Sequence, residues 1–203
     1  LGAREEKEAE AMRIGPQDAL IIVDVQNDFL PHGRLPVADG DRIIPVINQL
    51  SCLPFQAIVA TQDWHPADHC SFPLQNGPWP VHCVQDTQGA ELAALLRLDT
   101  VSAIVRKGMA QGVDSYSAFF DNDGQNPTGL KGFLQERGVT RIVVCGLAYD
   151  VCVTHTALDG MALGFETCVV EDASASALQP CADVSTALAA KGVRIVQAQD
   201  LRG

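Results

Sequence analysis

At 203 residues, 47% hydrophobic and 19% charged, the chain has the apolar content for one well-cored domain and the wrong composition for a mainly disordered one. A formal net charge of −11 argues against non-specific nucleic-acid binding, because phosphates would meet a repelling surface. No apolar stretch approaches the ~20 residues that span a bilayer. Seven scattered cysteines with no CxxC pair argue against a disulfide framework and for a reducing compartment, the cytoplasm.

Residues 1–12 are rich in charge (Arg4, Glu5, Glu6, Lys7, Glu8, Glu10) and lack the apolar centre of a signal peptide, so they read as a lead outside the fold. Residues 13–203 read as a single α/β domain. Short β-branched runs at 19–25 (ALIIVDV), 57–61 (AIVAT), 103–105 (AIV), 141–145 (RIVVC), 167–170 (TCVV) and 193–196 (VRIV) predict strands buried on both faces. Helical patterns fall between them at 41–50, 129–137, 151–163 and 180–191. The last three are followed by Gly138, Gly164 and Gly192, where a left-handed cap residue is wanted. Alternating strands and helices imply a mostly parallel sheet covered by helices.

Residues 62–89 break this rhythm with a long segment rich in Pro, Gly, Asp and His, and long loops in compact domains are commonly functional. Ligands of open parallel sheets bind beyond the carboxyl ends of the strands. Asp24, the Asp63 segment and Lys107 fall at such ends, and Cys152 follows another. Cys152 stands at a strand–helix junction, where the helix dipole and Lys107 favour thiolate. Asp24 is placed as proton acceptor and donor, and the amides around Ala148 and Cys152 as oxyanion donors. The competing reading makes Cys152 an inert core residue, as Cys145 and Cys168 are read, and Lys107 a solvated surface group. Asp24 resists that reading, since a buried unpaired carboxylate is costly.

Asp63, His65 and His69 form a D-x-H-x3-H pattern, and His82 follows, so three of the five histidines lie between positions 65 and 82. One carboxylate with two or three imidazoles suits Zn²⁺, Fe²⁺ or Mn²⁺. A structural zinc site drawing on Cys70 and Cys83 is the rival, opposed by the lack of closely spaced cysteine pairs.

The motifs VDVQNDF (23–29), QDWHPADH (62–69), WPVHCV (79–84), RKG (106–108) and GLAYDVCV (146–153) occur in this order. Together they resemble the nicotinamidase branch of the isochorismatase-like cysteine hydrolases, over residues 19–196. The resemblance implies a three-layer α/β/α fold with a six-stranded parallel sheet. It implies a catalytic triad of Asp24, Lys107 and Cys152, a metal site of Asp63, His65, His69 and His82, and a non-proline cis peptide before Ala148. Phe29 and Trp79 would enclose a pyridine ring, with Tyr116 as a further wall. The implied reaction is hydrolysis of nicotinamide to nicotinate and ammonia through a cysteine thioester, in NAD salvage. One divalent metal is implied, zinc first, with iron or manganese as alternatives. The implied partner is this small molecule, with neither nucleic acid nor membrane; homo-oligomers are frequent in the family. Isochorismate hydrolases lack the nucleophilic cysteine, and carbamoyl-type amidases generally lack the metal cluster, so the combination marks the branch. A different metal-assisted heteroaromatic amidase, or a non-catalytic zinc-bearing module, are the alternatives.

Overall fold

The apolar runs become strands of one parallel sheet. The structure, a computed structural model, describes residues 11–203; residues 1–10 of the charged lead lie outside them. A two-residue strand, β1 (Met12–Arg13), pairs in parallel with the last strand, β8 (Leu201–Arg202). Met12 is buried, its sulfur 3.8 Å from Cys168 Sγ, so this last residue of the predicted lead packs into the core. Between them lie β2 (Asp18–Val23), β3 (Ala57–Asp63), β4 (Ala103–Lys107), β5 (Arg141–Leu147), β6 (Glu166–Ala175) and β7 (Arg194–Val196). Their order is β4-β3-β2-β5-β6-β7, with every neighbouring pair parallel.

Burial of both sheet faces explains the unbroken apolar runs. Leu20 and Ile22 of β2 join a cluster with Ile43, Ile44, Ile47 and Leu50 of α1 (Ile43–Leu50). Ala19, Ile21 and Val23 join another with Leu130 and Leu134 of α2 (Leu130–Glu136), Ala157 of α3 (Thr154–Ala162), and Val184 and Leu188 of α4 (Cys181–Ala190). Each such side chain removed from water contributes roughly 1.5–3 kcal/mol, and the period of two sends alternate residues to opposite layers. Gly138, Gly164 and Gly192 all have positive φ, as the predicted caps require.

The strand ends differ from the sequence reading where the site is built. β3 and β4 each run two residues further than their apolar runs, to Asp63 and Lys107, which are register partners. β2 stops two residues short of the predicted end because Asp24 adopts φ 49°, in the left-handed region. The helix predicted from residue 151 is an α-helix only from Thr154; a π-helical turn over Tyr149–Val153 precedes it and carries Cys152. Such turns recur at functional sites. From β2 the chain runs through β3 and β4 to one edge, then returns to β5 beside β2 and runs to the other, so the crevice beyond β2 and β5 is the switch point where ligands of such sheets bind.

Candidate active site

Lys107 is fully buried among groups from four segments. Its Nζ lies 2.8 Å from Asp24 Oδ2 and 3.5 Å from Cys152 Sγ, donates to Ser115 O at 2.9 Å, and pairs closely with Asp63 Oδ1. The adjacent ends of β2, β3 and β4 bring Asp24, Asp63 and Lys107 together, and the turn after β5 adds Cys152. Thr61, inside β3, receives the Asp24 N–H at 3.1 Å and donates to Asp24 Oδ1 at 2.6 Å. Asp24 Oδ2 is ion-paired with Lys107 but lacks a hydrogen-bond donor in good geometry, one of two such buried side-chain atoms among the described residues. The side-chain oxygen and sulfur atoms of Asp24, Asp63 and Cys152 lie within 4.8 Å of one another.

These surroundings set the protonation states. Burial, opposed in part by Lys107, pushes Asp24 up to about 6. Burial would raise Asp63 too, but Lys107 and the nearby imidazoles outweigh it and hold Asp63 well below the carboxylate range. Burial works against the Lys107 ammonium, yet the two carboxylates keep it charged, well above its ordinary value. For Cys152 burial wins: the thiol is pushed well up despite Lys107. Burial therefore opposes the thiolate that the helix dipole and Lys107 favour, and the Asp24 carboxylate lies beside the Cys152 sulfur.

Asp63, His65 and His82 present ligand atoms within 4.8 Å of one another. His65 Nδ1 is fixed at 2.9 Å by Gly108 O and His82 Nδ1 at 2.7 Å by Pro80 O. Each Nδ1 thus carries a proton, and each Nε2 is turned toward Asp63 Oδ2, at 3.5 and 3.8 Å. Gly108 has φ 65°, and a Cβ there would fall 2.4 Å from His65 Cε1. One carboxylate and two imidazoles, each imidazole oriented by a carbonyl, form a donor set that fits a divalent transition metal. The geometry does not bring His69 into this set. Its ring stacks on His65 at 4.1 Å, Nδ1 meets Ser71 Oγ at 2.7 Å and Nε2 meets Val113 O at 3.2 Å. Burial lowers both His69 and His82, whereas Asp63 outweighs burial to raise His65.

A cavity of about 110 Å³ opens onto these groups. Phe29, Trp79 and Tyr116 line it together with Asp63, His82, Ala148 and Cys152. Trp79 Nε1 donates to Tyr116 Oη at 3.0 Å. The Leu147–Ala148 peptide is cis, as the resemblance implies. Sequence reasoning missed Asp114 and Leu178 in the cavity wall, Thr61 beside Asp24, and Gln26. The Gln26 side chain accepts from Asp63 N and donates to Asp63 O, both at 2.8 Å. Gln26 lies inside the VDVQNDF motif, which was the available signal for it.

A buried acid–amine–thiol cluster beside a metal-binding donor set, at the switch point of a parallel sheet, defines a hydrolase-type site. Residues 18–200 match the model of the isochorismatase domain, and the chain belongs to that family. Among similar proteins is the nicotinamidase of Acinetobacter baylyi, 48% identical over 76% of this chain and 79% of its own. The structure of PnC1 from L. infantum in complex with nicotinate superposes with a TM-score of 0.91 at 43% identity, covering 95% of this chain and 98% of that one. The pyrazinamidase of Pyrococcus horikoshii in complex with zinc gives 0.79 at 40% identity, covering 90% and 99%.

Proposed function

We propose that this chain is a nicotinamidase, hydrolysing nicotinamide to nicotinate and ammonia with Cys152 as nucleophile. The observation that carries the reading is Cys152 Sγ grouped with the Asp24 and Asp63 carboxylates, at a cavity lined by Cys152 together with Asp63 and His82 of the donor set. Asp63, His65 and His82 would hold a divalent ion, zinc first. When bound, that ion supplies a Lewis acid that anchors and polarises a ring nitrogen. Phe29 and Trp79 flank the flat ring, a packing that suits aromatic faces.

Asp24 Oδ2 takes the thiol proton as Cys152 Sγ bonds to the carboxamide carbon. Ala148 and Cys152 N–H groups receive the oxyanion. The C–N bond then breaks, Asp24 returns its proton to the departing ammonia, and a nicotinoyl thioester remains. Water attacks that thioester as Asp24 takes its proton, the C–S bond breaks with Asp24 returning that proton to sulfur, and the acid product leaves as nicotinate after losing its proton to solvent. Lys107 stays protonated throughout and keeps Asp24 ionised between transfers. Hydrolysis of this amide suits NAD salvage in the cytoplasm. Among the described residues, no helix is long and apolar enough to cross a membrane.

The test is ammonia release from nicotinamide by metal-loaded protein, compared with benzamide and linear amides. Nicotinamide turned over well and benzamide poorly is the expected pattern, since benzamide lacks the ring nitrogen. Equal rates on both would contradict anchoring of the ring nitrogen.

A further inference from the structure

The segment between β6 and α4 lends Ala177 and Leu178 to the cavity wall. Leu178 lines the cavity yet is 71% exposed, an apolar side chain left in water at its mouth. One side chain gathers three successive N–H groups of this segment. Ala177 donates to Asp150 Oδ1 at 2.8 Å, and Leu178 and Gln179 donate to Asp150 Oδ2 at 2.7 and 2.9 Å. Asp150 belongs to the same π-helical turn as Cys152, two residues before it. A single carboxylate therefore ties the mouth of the cavity to the segment that carries the thiol. Three backbone donors converging on a carboxylate are charge-assisted bonds, roughly twice as strong as neutral ones. The grouping needs both oxygens: an amide at position 150 would turn an NH2 toward at least one of the donors.

We propose that Asp150 is a positioning residue that holds Leu178 over the mouth, and that Leu178 determines specificity by admitting compact flat rings to Cys152 and excluding bulkier ones. The ring class rests on the proposed nicotinamidase activity; the gating of access to Cys152 does not. Leu178 is the residue that meets the ligand, and Asp150 acts through it.

Two readouts separate these claims. The first needs no turnover: alkylation of Cys152 by iodoacetamide and by the bulkier iodoacetanilide, followed on the Cys152 peptide by mass spectrometry. The rate ratio of bulky to small reagent should rise about fivefold in Leu178→Ala and in Asp150→Ala, with Asp150→Asn between wild type and Asp150→Ala. The double variant should exceed neither single, because both changes remove one restraint. An unchanged ratio in Leu178→Ala, or additive effects in the double variant, overturns the proposal. If Asp150→Ala fails to fold, Asp150→Asn and Leu178→Ala carry the comparison. The second readout is steady-state turnover of nicotinamide. Both variants should raise KM about fivefold and change kcat less than about twofold, the mark of lost ground-state binding; a fall in kcat alone overturns it. A wild-type protein that releases no ammonia from nicotinamide defeats the functional reading, and the alkylation ratio still decides the role of Asp150.

Discussion

The two ends of the central sheet each hold a cluster of ionised side chains, and the clusters are built to opposite ends. At the amino ends of β2 and β5, Asp18 and Arg141 are register partners and pair two oxygens to two nitrogens, at 2.7 and 2.8 Å. Gly15 N–H donates to Asp18 as well, and Arg141 also donates to Arg13 O. The exposed Glu166 lies a further 3.8 Å from Arg141 Nη1, but the close pair is Asp18 with Arg141, and both have hydrogen-bond partners. At the carboxyl ends, one ammonium serves two carboxylates, Asp24 and Asp63. A one-to-one close pair locks strands together, whereas one buried ammonium shared between two carboxylates and a thiol leaves groups that can exchange a proton. A related contrast recurs among the histidines: both nitrogens of His69 meet Ser71 and Val113, while His65 and His82 turn Nε2 toward Asp63.

The largest predicted break in this comparison is at Asp24. Asp24→Asn removes the proton acceptor and should lower kcat about 1,000-fold or more, with the circular-dichroism spectrum unchanged; a loss under tenfold would remove Asp24 from the mechanism. The histidine contrast gives the next effect. His82→Ala should weaken metal binding about 10- to 100-fold, and His69→Ala distinctly less, as read by competition with a chromophoric chelator. Equal losses would return His69 to the ligand set. At the opposite end of the sheet the signs reverse. Asp18→Ala should cost about 2 kcal/mol in urea unfolding, because Arg141 loses its partner, while kcat for nicotinamide stays within about twofold.

The smallest effect is on pH. Ionised Asp24 is required, so kcat/KM falls as pH drops through its pKa. With that value pushed up to about 6 by burial, the acid limb belongs at or below pH 6, since a divalent ion on Asp63 favours the ionised form. Thr61→Val deletes the hydroxyl that stabilises ionised Asp24 and should move the limb up by about one unit. A downward move would contradict the assigned acceptor.

Much of this site was legible in the sequence because parallel strands deliver their last residues to one edge. Asp24, Asp63, Lys107 and Cys152 each follow an apolar run, and that placement predicts their convergence before any distance is known. The ends of β3 and β4 were not legible: Gln62, Asp63, Arg106 and Lys107 carry no apolar signal, so the Asp63–Lys107 pairing emerges only from register. His69 shares the spacing of a ligand, but its ring groups with His65 and Asp114 rather than with Asp63 and His82, which spacing alone does not record. The upward push on the Cys152 thiol comes from depth of burial, which local sequence does not record. Asp150 and Asp114 act on groups distant in sequence or through the cavity wall, and their neighbours in the chain give no hint of it.

The central claim is that Cys152, with its proton passed to Asp24, carries the acyl group. The most direct test is to quench metal-loaded protein during nicotinamide turnover and map the adduct by peptide mass spectrometry. A nicotinoyl thioester on the Cys152 peptide, absent from Cys152→Ala together with ammonia release, is the predicted result. Ammonia released at an undiminished rate by Cys152→Ala, or an acyl adduct on another residue, would contradict it.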